Sequence, residues 1–206
     1  MTPSEPDLLS PGSDHAEVEA ALRGWLATRD PAVRAGIEAG LWSRFGHTLT
    51  VVVIDMCGFS RCARDDGLIG TLAMIGTLRV VIARVAGRHG GRAIKFEADN
   101  AFLAFEATAP ALAAAREAVT ELRAAVSGPI EISAGIDRGP ILLLDGADLY
   151  GEPVNTASRL GEDMARRGEI LLTLAAAADL GPDPALKPAT LTVAGVPFPA
   201  FAVQPA

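Results

Sequence analysis

Two spacings of apolar residues, helical and strand-like, divide the chain into elements. Residues 1–13 (MTPSEPDLLSPGS) fit neither spacing, and Pro3, Pro6 and Pro11 interrupt any helix, so this segment is expected to be disordered. After Ser13 or Asp14, either of which suits an N-cap, Val18, Ala21, Leu22 and Trp25 recur on one helical face and predict a helix over residues 15–28. Asp30-Pro31 opens a second helix with proline at its first position, running through Val33, Ile37, Leu41 and Trp42 to Phe45. These helices form an N-terminal extension, residues 14–46, that either packs on the rest of the chain or presents a partner surface. Val51, Val52, Val53 and Ile54 then read as a strand buried on both faces, ending at Asp55 and Gly58.

A long helix comes next over residues 68–88, with Leu72, Ile75, Leu78, Val81, Ile82 and Val85 as its buried face, and it stops at a glycine-rich turn. Residues 92–97 and 101–105 are two short strands around Ala98-Asp99-Asn100, a hairpin with Asp99 at its tip. Pro110 begins an alanine-rich helix to about residue 126, residues 130–136 alternate as a strand, and Gly139-Pro140 turns the chain into the apolar run 141–144. A loop carrying Asp148, a helix over residues 154–165, a strand at 169–173, a short helix at 174–180 and two closing strands at 191–193 and 198–203 complete the reading. Strand, helix, strand, strand, helix, strand is the split βαβ pattern of a ferredoxin-like α/β (α+β) sheet with helices on one face, here with C-terminal strand additions. The strand ending at Asp55 is central in such a sheet, and its end approaches the tip that carries Asp99.

Composition changes this picture little. At 206 residues, half of them apolar, the chain suits one well-buried domain, residues 47–206, plus the extension. A net charge of −7 without long runs speaks against a nucleic-acid partner. No apolar run reaches the roughly 20 residues that span a bilayer, and the polar, acidic start lacks a signal-peptide pattern, so a cytoplasmic location without membrane insertion is expected. Cys57 and Cys62 imply neither disulfide nor zinc site. Only Lys95 and Lys187 are lysines among 18 basic residues, which marks position 95 as one with a reason to be lysine.

Taken alone, Asp55 reads first as a cap for the segment after it. The second reading is chemical: backbone N–H groups gathered after the strand attract an anion that Asp55 would repel, and a divalent cation between carboxylate and phosphate removes the conflict. Asn155 and Arg159, four apart on one helical face near Asp148, likewise suit either a polar surface or an oxygen-rich anion.

Together these segments resemble the catalytic domain of the class III adenylate/guanylate cyclases. The match rests on VVVIDMCGFS at 51–60, KFEADNAFLAF at 95–105, ISAGIDRGPILL at 132–143, DLYGEPVNTASRL at 148–160 and GEILLT at 168–173, in order and with matching internal spacing. The resemblance implies an adenylate cyclase that forms 3′,5′-cyclic AMP and pyrophosphate from ATP. Asp55 and Asp99, with the Met56 carbonyl, would hold two divalent cations, Mg²⁺ or Mn²⁺. The amides of Cys57, Gly58, Phe59 and Ser60 would hold the triphosphate, Lys95 and Asp148 would select adenine, Asn155 would orient the ribose, and Arg159 would neutralise developing phosphate charge. Active sites in this family form between two subunits, which implies a homodimer.

Two positions depart from the family pattern. Ala98 stands where glycine is usual, a cost if the turn needs a positive φ. Ala194 aligns with a lysine that contacts the triphosphate in active members, with Lys187, Arg61 or Arg64 as possible substitutes. Those departures keep open a degenerate domain that binds nucleotide or dimerises without turnover, and a cyclase acting on GTP or a pyrimidine nucleotide is a further alternative.

Overall fold

The computed structural model describes residues 13–58, 64, 67–125, 130–144, 147–193 and 196–203. Helices α1 (Ser13–Ala27) and α2 (Pro31–Phe45) lead into strand β1 (Gly46–Met56). Then come α3 (Gly67–Arg88), the hairpin β2 (Arg92–Glu97) and β3 (Asn100–Phe105), α4 (Thr108–Arg123) and β4 (Ile132–Leu144). The chain continues through β5 (Asp148–Tyr150), α5 (Glu152–Ser158), a π-helical turn (Arg159–Met164), β6 (Ile170–Thr173), α6 (Leu174–Leu180), β7 (Leu186–Val193) and β8 (Val196–Val203).

The strands form one eight-stranded sheet in the order β2-β3-β1-β4-β6-β8-β7, with β5 paired to β4. Strand β1 is antiparallel to both neighbours, β3 and β4, so the expected split βαβ core with a central opening strand is what the chain builds. Its period-two alternation sends Val52, Ile54 and Met56 into one core with α3 and α4, and Val51 and Val53 into a second core with Phe102, Ile141, Leu149, Val154 and Ala157. The long helices α3 and α4 thus share one face, while the other carries the short α5 and the π segment. Arg84 and Arg88 on α3 pair with Glu121 on α4, and His89 with Glu117, fixing the two helices side by side.

Several boundaries differ from the sequence reading. Residues 130–144 are not two strands around Gly139-Pro140: β4 runs unbroken from Ile132 to Leu144 and pairs with β1 from Ile132 to Leu142. Proline is accommodated because β6 leaves β4 after Ile136 and β5 joins only at Leu142, so one edge at Pro140 has no partner strand to satisfy. Asp148 is not in a loop but begins β5. Leu72 is 52% exposed and Thr71 is buried in its place. Helix α3 is also long and apolar enough to cross a membrane, contrary to the expectation that no stretch is; its Ile75, Leu78, Ile82 and Val85 lie in the core instead.

The N-terminal helices pack as a pair. Asp30 caps α2 by accepting from the Ala32 amide at 2.8 Å, the Trp25 indole donates to Glu38 at 2.8 Å, and Arg34 stacks 4.0 Å from the Trp25 ring centroid. Phe45, at the end of α2, is buried beside the sheet.

Candidate active site

The first cluster forms where β1 meets the β2–β3 tip. Alternation places Asp55 on the face of Val51 and Val53, and the β1–β3 register, Ile54 opposite Ala101, brings Asn100 and Asp99 alongside it. Burial pushes the Asp55 carboxyl up to about 6, with Asp99 the next largest influence and Glu162 and Asp163 of the π turn adding to it. Partial burial of its own carboxyl, then Asp163, Glu97 and Asp99, raise Glu162 in the same way. Several carboxylates therefore crowd one place with no basic side chain paired to Asp55 among the described residues.

Ala98 adopts φ 50°, the left-handed conformation the tip demands of an L-residue, at a cost on the order of 1 kcal/mol. The Asn100 side-chain oxygen is buried and accepts no hydrogen bond among the described residues. An acceptor of this kind costs free energy unless something electropositive faces it. Sequence reading passed over Asn100, whose signal appears only once the hairpin is paired with β1. These groups fit a hard divalent cation: Asp55, Asp99 and the unpartnered Asn100 oxygen are all oxygen donors, and a cation would relieve the repulsion that raises Asp55. Among the described residues no three His, Cys, Asp or Glu side chains are gathered as a ready-made metal cage. The Met56 side chain points into the α3–α4 core, leaving only its carbonyl for such a role.

The turn after β1 departs from its expected use at one position. The Cys57 amide donates to the Glu131 carbonyl at 2.8 Å, extending the ladder with β4, so this amide is not available to a phosphate. Gly58, at φ 84°, is the remaining described donor of the turn. Phe59, Ser60 and Arg61 lie outside the described residues, as does Ala194. Arg64 is exposed. Lys187 sits on β7 at the far edge of the sheet, with β8, β6 and β4 between it and β1 of the same chain.

The second cluster is the Lys95–Asp148 pair. A register shift between Ala93 and Lys95 turns Lys95 onto the Phe102 face, 4.8 Å from that ring's centroid, as β-bulges beside binding sites do. There Lys95 Nζ meets Asp148 Oδ1 at 3.0 Å and Glu97 Oε1 at 2.7 Å. The Tyr150 hydroxyl donates to Asp148 Oδ2 at 2.6 Å and the Leu149 amide to Oδ1 at 2.8 Å. Burial alone would raise Asp148, but the bonds from Tyr150, Lys95 and Leu149 outweigh it and hold the carboxyl below the usual range. Lys95 mirrors this: burial opposes its charge, and Glu97 and Asp148 more than restore it. Of the three Lys95 donors two are engaged, leaving one for a ligand. His15 of α1 also approaches, with Nε2 3.8 Å from Asp148 Oδ2. Neither Tyr150 nor His15 was singled out by sequence, since only the β4–β5 pairing and the folding-back of α1 bring them here.

Asn155 and Arg159 lie one turn apart and exposed, Asn155 on α5 and Arg159 where the helix widens into the π turn. Widened turns of this kind occur often at functional sites. Glycines seat the segment: a methyl at Gly135 would lie 2.1 Å from the Ala157 carbonyl, and one at Gly161 2.7 Å from that of Val53. Arg159 borders a small cavity of ≈ 60 Å³ with Thr156, Met164 and Phe198. Within one chain neither residue bonds to either cluster among the described residues.

An eight-stranded sheet of this order and these helices is the fold of nucleotide cyclase catalytic domains. The catalytic core of a rhodopsin-guanylyl cyclase with converted specificity, solved with ATPαS, superposes with a TM-score of 0.70 at 19% identity, covering 77% of this chain and 98% of that one. A dimeric guanylyl cyclase domain from the aquatic fungus Blastocladiella emersonii gives 0.66 at 20% identity, over 77% and 97%. The adenylyl cyclase CyaB from P. aeruginosa gives 0.64 at 21%, over 78% and 95%. At these identities the likeness speaks for the fold. No protein-family model matches the chain, and no curated protein does.

Proposed function

We propose that the chain is a class III purine nucleotide cyclase that converts ATP to 3′,5′-cyclic AMP and pyrophosphate as a homodimer. The observation that carries this reading is the Lys95–Asp148 contact: two residues far apart in sequence meet at 3.0 Å on this fold, donor and acceptor side by side. The free Lys95 donor suits the adenine ring nitrogen, and the Asp148 carboxylate, held ionised, accepts from the exocyclic amine. Guanine presents an acceptor and a donor in the reverse order, and a mismatched buried pair costs about 1–3 kcal/mol.

Asp55, Asp99, the Met56 carbonyl and the nearby Asn100 oxygen would hold two Mg²⁺ or Mn²⁺ ions. When bound, these supply Lewis-acid activation of the ribose 3′-hydroxyl and neutralise charge on the α-phosphate. Asn155 orients the ribose, and the Arg159 guanidinium stabilises the developing phosphate charge. Asp55 and Asp99 of one copy face Lys95, Asp148, Asn155 and Arg159 of the other, which accounts for the lack of contact between these groups inside one chain. Leu68 and Ile69, 71% and 77% exposed at the start of α3, give an apolar patch suited to that second copy.

Ala98 at φ 50° favours a second reading, a domain that binds nucleotide with little turnover, because strain sits at the tip that carries Asp99. Assay of all four nucleoside triphosphates with Mn²⁺ separates the possibilities. Cyclic AMP in excess over the other products, abolished by Asp55→Ala, is the expected result. Metal-dependent ATP binding without product supports the second reading, and product from GTP or a pyrimidine nucleotide in preference to ATP overturns the base assignment.

A further inference from the structure

We propose that the N-terminal helix pair is an intramolecular inhibitor of the site: α1 seats His15 on the Lys95–Asp148 pair, and a nucleotide binds in its place. This rests on the purine-binding role given to that pair above. A carboxylate offers about four acceptor positions, two on each oxygen. Asp148 Oδ1 already accepts from Lys95 at 3.0 Å and from the Leu149 amide at 2.8 Å, and Oδ2 accepts from the Tyr150 hydroxyl at 2.6 Å. One position on Oδ2 is left for the amine of a purine. The His15 ring stands at that oxygen, with Nε2 3.8 Å away, longer than a hydrogen bond. With Lys95, Leu149 and Tyr150 already around the carboxylate, a ring at this distance takes the approach that a purine edge would use.

The sheet register explains how α1 reaches this pair. Leu142 of β4 pairs with Gly46 of β1 on one side and with Tyr150 of β5 on the other, so the end of α2, which runs into Gly46, lies one strand away from β5. Arg44, in the last turn of α2, holds the start of α1: it pairs with Glu17 at 2.7 Å and lies 3.9 Å from Asp14. This attachment is polar and shallow. None of residues 14–27 is buried, and the buried residue of α2 is Phe45, at its last position. The Trp25 bond to Glu38 and the Arg34 stack on Trp25 join α1 to α2 rather than to the sheet. Leu22, Leu26, Val33 and Trp42 stay exposed. An element that buries so little and rests on exposed ion pairs opens at low free-energy cost. A nucleotide that binds only the open form then meets an affinity reduced by the fraction of chains that are closed.

Titration calorimetry of the full chain with ADP and Mn²⁺ tests this, since ADP carries the base but cannot be cyclised with release of pyrophosphate. Wild type is compared with His15→Ala and with Arg44→Ala, which frees the start of α1 through an exposed side chain. Removing the His15 ring lowers the ADP Kd by about 3-fold to 10-fold, and Arg44→Ala shifts it in the same direction. Inorganic pyrophosphate, which has no base, binds wild type and both variants alike. In turnover the KM for ATP falls by the same factor in His15→Ala while kcat is unchanged. An ADP Kd in His15→Ala equal to or weaker than that of wild type overturns the inference. So does an equal tightening of ADP and pyrophosphate, or a chain that binds no ADP in any form. Tightening confined to ADP, without cyclic nucleotide from any triphosphate, leaves the inference standing and removes the cyclase reading instead.

Discussion

Asp55 is held in the folded chain at a pKa of about 6 by burial and by Asp99, well above an unfolded carboxyl, so its ionised form is the disfavoured one. Between the ordinary carboxylate value and about 6 the folded chain binds a proton that the unfolded chain has released. Stability therefore falls as pH rises through that window and stays low above it. In EDTA, Asp55→Asn is expected to melt higher than wild type at about pH 7.5 and to converge with it at about pH 3.5, where both states carry the proton. Mn²⁺ at the higher pH should raise the melting temperature of wild type and not of the variant. Equal melting curves at both pH values would show that the carboxylate is not crowded. Position 55 stands out in the sequence because a carboxylate closing an all-apolar strand is chemically conspicuous, and Lys95 because it is one of only two lysines. Asn100 and Tyr150 were not, because an amide in a turn and a tyrosine after an acid gain meaning only from their neighbours across strands.

Elements were read best where one periodicity ran long, as in β1, α3 and α4. They were read worst where tertiary contacts override local signals. Gly139-Pro140 reads as a turn, yet the unbroken pairing of β4 with β1 holds it extended. The widening of the Asn155–Arg159 helix into a π turn has no sequence signature, and it depends on glycines whose role is spatial. Gly135→Ala places a methyl 2.1 Å from the Ala157 carbonyl and should push this segment off the sheet, whereas Gly76→Ala in α3 meets open space. Gly135→Ala is expected to destabilise by about 1–3 kcal/mol and Gly76→Ala to stabilise by about 1 kcal/mol, measured by urea unfolding. If the two shift stability alike, close packing at Gly135 is not what seats Arg159.

At the scale of the whole molecule, the two clusters and the Asn155–Arg159 segment share one face of the sheet, and among the described residues no hydrogen bond or ion pair joins Asp55 or Asp99 to Lys95, Asp148, Asn155 or Arg159 within a chain. A second copy, seated near the exposed Leu68 and Ile69, completes the site in the proposed account. Each inactive variant then lacks a different half. Asp55→Ala and Arg159→Ala are expected to form no cyclic AMP singly. The measurement that tests this most directly is cyclic AMP formation from ATP and Mn²⁺ by an equimolar mixture of the two variants. Random pairing puts half the molecules in mixed dimers with one intact site of two, so the mixture should recover about a quarter of wild-type activity. A mixture as inactive as either variant, beside an active wild type, would contradict a site shared between copies, and an inactive wild type would contradict the cyclase itself.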